Sequence, residues 1–288
     1  MNDYLLSVLL GIVEGLTEFL PVSSTAHLRI VEAAAGVNLS DGYWKMFSIV
    51  IQLGAIACLP LYFRKRIAAL LTGHPRAGDL LGWRDHPLVL TAIAFVCTSV
   101  SSLLLIKLIG KHLESLHVMA GALIVGGIVM MAVDLSAAGG RLPARTSRME
   151  EMGVARAVWI GLCQTLSAVF PGTSRSMATI TAGQLVGMSR ASALEFSFFL
   201  SMPTMIAATG YDLVKTLRHG ASAPLGEARM TPHGWVLLAI GFVVSFAVAY
   251  GVVAWFMSWV RRHGFVPFAI YRLVAGAAVL LWIGSRTV

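Results

Sequence analysis

The stretch Gly11-Ile-Val-Glu-Gly-Leu-Thr-Glu-Phe-Leu-Pro-Val-Ser-Ser-Thr-Ala-His27 decides how the rest of the chain is read. Residues 5–20 are mostly apolar, as in a membrane helix, yet Glu14 and Glu18 interrupt them four positions apart, on one helical face. Pro21 stops that helix. The hydroxyls of Ser23, Ser24 and Thr25 and the imidazole of His27 follow at once. In hydrocarbon each of these groups is costly unless it faces a wet cavity or a partner. Two acids, three hydroxyls and a histidine this close together point to a reaction site rather than a lipid-facing span.

Composition supports a membrane setting. Of 288 residues, 57% are hydrophobic and 12% charged, with a mean hydropathy of +0.78; soluble domains carry about 25% charged residues. The expected fold class is an all-α integral membrane protein built as one unit over residues 1–288. The formal net charge of +8 comes without a basic arm or basic helix face, so no nucleic acid is expected as partner. Cys58, Cys97 and Cys163 sit in separate apolar stretches without metal-ligand spacing and read as packing residues. The N-terminus lacks the basic region and small-residue cleavage site of a signal peptide, so the first segment is expected to stay in the mature protein.

Along the chain, full spans are expected at 46–63, 87–107, 116–134, 194–214 (interrupted by Pro203), 234–260 and 265–285. The links at 67–86 (with Arg76 and Arg84), 110–115 and 215–233 read as loops. Segments 4–20 with 25–36, and 154–170 with 178–190, are short helices flanking a polar turn, and read as two re-entrant helix–loop–helix elements. Placing Arg64–Arg66, Arg141–Arg148 and Arg261–Arg262 in the cytoplasm threads six spans with both termini outside. The two broken segments then enter from opposite sides.

The halves, about 1–135 and 150–288, repeat. Residues 11–24 align without gaps on 161–174, setting Glu14 on Gln164, Pro21 on Pro171, Ser23 on Thr173 and Ser24 on Ser174. Three spans per half force the second copy into inverted topology, an arrangement that places a site where the broken helices meet.

Glu14 and Glu18 can hold a divalent metal, Mg²⁺ or Ca²⁺, through carboxylate oxygens, or act as a general acid/base pair; the bland reading is a hydrogen-bonded core pair. Gln164 and Ala168 stand at the matching positions of the second copy, so the acids serve something local. Of Ser23, Ser24 and Thr25, each suits a helix N-cap, and one can be a nucleophile with His27 as its base. Arg175, in Pro171-Gly-Thr-Ser-Arg-Ser176, needs an anion at membrane depth: a phosphate, or Glu14 or Glu18 as a structural lock. Gly172 permits close backbone approach, and Thr173, Ser174, Ser176 and the next helix start offer donors to the same phosphate. Gln52 lies mid-span and is expected to bond across to a broken helix. Arg190, Glu195 and Lys45 are weaker candidates, the first two reading as cytoplasmic capping charges. An anion-binding turn, a metal-capable pair and a hydroxyl/imidazole cluster together suit phosphoryl transfer on a lipid whose tail stays in the bilayer. The rival reading is a lipid-phosphate transporter or flippase, alone or combined with hydrolysis, because paired broken helices also build transporters.

The motifs Glu14-Gly-Leu-Thr-Glu-Phe-Leu-Pro-Val-Ser-Ser-Thr-Ala-His27 and Pro171-Gly-Thr-Ser-Arg-Ser176 with Ala178-Thr179-Ile180, supported by Gln52-Leu-Gly-Ala-Ile and Glu195-Phe-Ser-Phe, resemble the undecaprenyl-diphosphatase family of the BacA type. That resemblance implies a multi-pass enzyme of the bacterial inner membrane, its site open to the periplasm, and dependence on Mg²⁺ or Ca²⁺. It implies removal of the terminal phosphate of undecaprenyl diphosphate, a polyprenyl diphosphate lipid, to recycle the carrier used in peptidoglycan synthesis. Beyond that substrate and membrane lipids, a homodimer stays open as a partner. By motif position Glu14, Glu18, Ser24, His27, Ser174, Arg175 and Thr179 are the functional residues. Ala26 and Met177 stand where the family often has Gly, and Met177 is expected to narrow the second turn.

Overall fold

The structure, a computed structural model, describes residues 2–38, 42–72, 85–105, 115–219 and 231–285. Among these the chain is helical apart from short links and one isolated bridge between Thr146 and Met188. Eleven α-helices follow in order: α1 (Asp3–Thr17), α2 (Ser24–Ala34), α3 (Gly42–Tyr62), α4 (Arg64–Thr72), α5 (Pro87–Leu104), α6 (Leu116–Ala138), α7 (Val154–Val169), α8 (Arg175–Leu185), α9 (Arg190–His219), α10 (Pro232–His263) and α11 (Val266–Gly284). Six of them, α3, α5, α6, α9, α10 and α11, are long and apolar enough to cross a membrane.

Local chemistry sets the boundaries. Asn2, Ser115 and Thr231 accept hydrogen bonds from the first turns of α1, α6 and α10, and Pro stands in the first turn of α5, α10 and α11. Two expectations need correction. Residues 64–72 form a helix where a loop from 67 was expected: Ile67, Ala68, Ala69, Leu70 and Leu71 continue past the basic start, and Leu70 is buried. Pro203 does not interrupt α9, which runs through it; hydroxyls beside it, Ser201 onto the Phe198 carbonyl and Thr204 onto that of Leu200, bond backbone oxygens near the missing N–H. Arg76, Arg84 and most of the expected links at 110–115 and 215–233 lie outside the described residues.

Helices pack through small residues. A Cβ added to Gly15 would lie 2.7 Å from the Ser245 carbonyl oxygen and 2.7 Å from the Val248 Cβ, so α1 and α10 touch backbone to backbone. Gly161 brings α7 equally close to Ala94 of α5, and Thr98 of α5 donates to the Gly161 carbonyl at 2.8 Å. Each short helix before a turn thus lies against a long helix from the other half of the chain. The core between them is aromatic: Phe19, Phe63, Phe198, Phe199 and Phe256 are all buried, with Phe19 and Phe198 edge-to-face at 5.3 Å.

The basic loops converge at one end. Arg66 bonds Glu195 at 2.9 Å and Glu150 at 2.6 Å. Asp134, fully buried, accepts from Arg190, from Gln184 and from the Phe265 N–H, tying the ends of α6, α8, α9 and α11. Glu195 and Arg190 are thus each held in an ion pair, with Arg66 and with Asp134.

Candidate active site

Both polar turns end in a serine with positive φ: Ser23 at 74° and Ser174 at 70°, the two non-glycine residues of that kind among those described. Each is an N-cap, Ser23 accepting from the Ala26 N–H and Ser174 from the Met177 N–H, which holds the chain in a conformation that L-residues rarely adopt. This corrects the ungapped alignment. Val22 alone separates Pro21 from its cap, whereas Gly172 and Thr173 separate Pro171 from its own. Ser23 therefore matches Ser174, and Ser24 matches Arg175, each opening its helix.

Between these two helix starts sits Glu18. It caps α1, is 5% exposed, and accepts a 2.5 Å hydrogen bond from the Ser24 hydroxyl and an ion-paired one from Nη2 of Arg175. Ser176 donates to the Glu18 backbone carbonyl at 3.4 Å, fastening the second turn to the first. The Arg175 side chain is 13% exposed, and its Nη1 is buried with no partner. One turn before Glu18, Glu14 is fully buried and both of its carboxylate oxygens lack a hydrogen-bond partner.

A cavity of about 430 Å³ lies over this arrangement, bounded by both turns and by α3 and α9. Glu18, Ser23, Ser24, Thr25, Gly172, Ser174 and Arg175 reach its walls, with Gln52 and Thr204 from the facing helices. Gln52 makes no hydrogen bond to a broken helix among the described residues; it simply lines the cavity. Gly172 has φ +95° and packs where a Cβ would run into the Met119 backbone, so the second turn can seat against α6 with glycine alone.

Other residues expected at the site stand elsewhere. Thr173 faces an apolar groove of about 470 Å³ between α6, α7 and α8, on the other side of the second turn; Met177 also lines that groove, and does not narrow the polar cavity. Thr179 lies one turn into α8 and bonds Ser197 of α9 at 2.7 Å, holding the helix rather than facing the cavity. His27 is not brought to Ser24. Its Nδ1 donates to the Ser23 carbonyl at 2.7 Å, which leaves Nε2 of the neutral ring to accept from the Tyr271 hydroxyl at 2.7 Å. Gln164, at the position matching Glu14, is tied to Thr98 and Thr204.

One residue escaped sequence reasoning. Arg272 of α11 is fully buried and bonds four backbone carbonyls: Pro21 of the first turn at 3.0 Å, Gly172 of the second at 3.1 Å, and Ala122 and Leu123 of α6. Gly126 leaves the room that its guanidinium fills. The available signal was a single arginine within an otherwise apolar run at 266–284.

The donor set suits a divalent cation. Two neighbouring carboxylates, one with both oxygens unsatisfied, are what such an ion takes from a protein when substrate oxygens and water complete its shell. No group of three or more His, Cys, Asp or Glu exists among the described residues, so a closed all-protein cage is not formed there.

Comparison with known proteins places the chain in a family. A family model described as "Bacitracin resistance protein BacA" matches residues 7–278. The chain is 63% identical over 290 residues to an undecaprenyl-diphosphatase of Koribacter versatilis, covering 99% of this chain and 100% of the relative. It is 40% identical to an undecaprenyl-diphosphatase of Xanthomonas oryzae pv. oryzae, over 98% of each chain. Against the undecaprenyl-diphosphatase of Caldanaerobacter subterraneus the identity is 41%, over 97% of this chain and 96% of that one. The match takes in both turns, the acidic pair and Arg272, and the chain belongs to the family described as bacitracin resistance protein BacA.

Proposed function

We infer that the chain is a membrane phosphatase that hydrolyses undecaprenyl diphosphate to undecaprenyl phosphate and inorganic phosphate, the activity named for its relatives. The observation that carries the reading is Glu18, held between a serine hydroxyl and an arginine guanidinium supplied by two different helix breaks.

In the proposed reaction Arg175 turns its guanidinium, including the unpartnered Nη1, onto the phosphate oxygens, and the capped start of α8 adds N–H donors. Glu18 takes the proton from the attacking oxygen. That oxygen is the Ser24 Oγ, or a water that Ser24 orients; it bonds to the terminal phosphorus as the bridging P–O bond breaks and the lipid monophosphate leaves. By the serine route, water then cleaves the phosphoserine. Assigning the proton to Glu18 rather than to His27 is supported by the Ser24–Glu18 hydrogen bond and by the engagement of both His27 nitrogens, with Ser23 and Tyr271. Glu14 and Glu18 would hold a Mg²⁺ or Ca²⁺, which supplies charge neutralisation to the diphosphate. Phosphoryl transfer of this kind rests on positioning and electrostatics.

The topology is part of the same proposal. At 1.5 Å per residue, α1 and α7 are about 22–24 Å long, and α2 and α8 about 16 Å, each short of a ~30 Å hydrocarbon core. Each pair is therefore read as re-entrant, and the exchange of α1 onto α10 and α7 onto α5 supports an inverted repeat. Collected at one end, Arg66, Arg148 and Arg261 favour that end as cytoplasmic and the cavity as periplasmic, in a bacterial inner membrane. In that setting the product feeds the lipid-carrier cycle of peptidoglycan synthesis.

The test is phosphate release from undecaprenyl diphosphate by purified protein in detergent, with and without EDTA, beside Glu18→Gln and Arg175→Ala. Metal-dependent release lost in both variants is the expected result. Folded wild-type protein with no release under any divalent metal overturns the reading in favour of transport. Phosphoserine trapped at Ser24 in a single turnover selects the covalent route, and its absence selects the water route.

A further inference from the structure

At the basic end of the bundle lies a second cavity of about 760 Å³, walled by the ends of α3 and α10 and the start of α9. Gln52 of the candidate site and Tyr62 of this cavity are ten residues apart on α3, about 15 Å along the helix. Phe63 lines the second cavity and packs on Phe199 at 5.3 Å, and Phe198 packs on Phe19, the neighbour of Glu18. An aromatic layer thus separates the two spaces.

The wall of the second cavity carries three arginines and one acid, Glu195. Arg66, Arg148 and Arg261 reach its wall. Arg66 is neutralised by Glu195 and Glu150, and Arg148 touches Glu150 at 3.8 Å. Arg261 has no acid within ion-pair distance among the described residues. Ser192 also lines the space, is 1% exposed, and its hydroxyl has no hydrogen-bond partner. A buried hydroxyl without a partner is costly, and costs less when a ligand completes it. It sits in the first turn of α9, where the Ser189 hydroxyl accepts from the Ser192 N–H and the positive end of the helix dipole favours an anion.

We propose that this cavity is a second, non-catalytic phosphate site, taking a phosphomonoester headgroup of a membrane lipid or orthophosphate, with Arg261, Ser192 and the start of α9 as its donors. It is independent of the phosphatase reading, because none of its residues belongs to the polar turns. In the orientation proposed above it opens on the cytoplasmic side.

The test uses the full chain with Arg175→Ala, which removes the phosphate grip of the other cavity. Phosphatidic acid retention in nanodiscs is measured by native mass spectrometry against phosphatidylcholine, and orthophosphate binding by ³¹P line broadening. Arg261→Gln is expected to weaken binding at least about tenfold and Ser192→Ala several-fold, with Arg261→Lys restoring part of the loss; Arg148→Gln serves as a second probe of the wall. Retention of phosphatidic acid alone assigns a lipid headgroup, and equal binding of orthophosphate assigns the free ion; both support the site. Binding unchanged in Arg261→Gln and Ser192→Ala, equal retention of phosphatidylcholine, or no binding of either phosphate probe overturns it.

Discussion

Replacing Arg272 with Met tests how the two turns are held in register. The guanidinium bonds the carbonyls of Pro21, Gly172, Ala122 and Leu123. The last two belong to α6 and keep their helical N–H partners. The carbonyls of Pro21 and Gly172 have no other donor among the described residues, so the substitution orphans two buried acceptors at about 1–3 kcal/mol each. Met fills much of the volume and relieves the burial of a charge with no acid partner, which offsets the lower part of that range. The net expectation is a loss of about 2–3 kcal/mol, or roughly 5–10 °C in melting temperature for a chain of this size. Activity should fall further than stability does. Freed turns displace Ser24 and Arg175 relative to Glu18, and a misplacement of about 1 Å costs on the order of 10²-fold. Arg272→Lys keeps the charge but lacks the fork that reaches both turns, so its melting temperature should lie between the two while phosphate release stays depressed. The assays are thermal unfolding in detergent and initial rates of release. Arg272→Met with wild-type melting and wild-type rates would refute the reasoning, as would full activity in Arg272→Lys, which would make the charge and not the tie decisive.

Glu18→Gln preserves shape while removing the proton acceptor and the ion-pair partner of Arg175; it should lower the rate by about 10²–10⁴-fold and cost about 2–4 kcal/mol in thermal unfolding. Ser174→Gly relaxes a strained φ of 70° at the loss of a cap; we expect stability to be equal or up to about 1 kcal/mol higher, with activity reduced, and a clear loss of stability would count against strain at that residue. Gly15→Val drives two methyls into the Ser245 backbone and Val248, and should cost about 3 kcal/mol or more, read as lost folded yield on gel filtration. Asp134→Asn weakens the tie to Arg190, itself partly exposed, and should cost about 2–4 kcal/mol in thermal unfolding with the phosphate-release rate per folded molecule unchanged.

Much of this was legible in the sequence, because membrane burial makes polar residues expensive and therefore informative. Glu14 and Glu18 a helical turn apart, and Arg175 after a second proline break, pointed to a phosphate-binding site or an acid–arginine lock across some 157 residues, and Glu18 and Arg175 do pair. What the sequence withheld was direction. His27 follows Ser24 by three residues, yet its ring turns back to the Ser23 carbonyl and out to Tyr271, a contact made by a helix hundreds of positions away. Arg272 was visible as an oddity, but which carbonyls it serves depends on how α11 rotates against α6. The register of the second turn was hidden for a simpler reason: Gly172 and Thr173 take up one position more than Val22, and side-chain likeness between Ser24 and Ser174 masked the slip.

The contrast between Glu14 and Gln164 has a consequence for redesign. Both side chains are buried, each on a short helix that ends in a polar turn. Gln164 is woven into the frame through Thr98 and Thr204, whereas the Glu14 oxygens meet no donor among the described residues and have Glu18 as their neighbour. Writing an acid into position 164 would therefore loosen the frame before it created a second reaction centre.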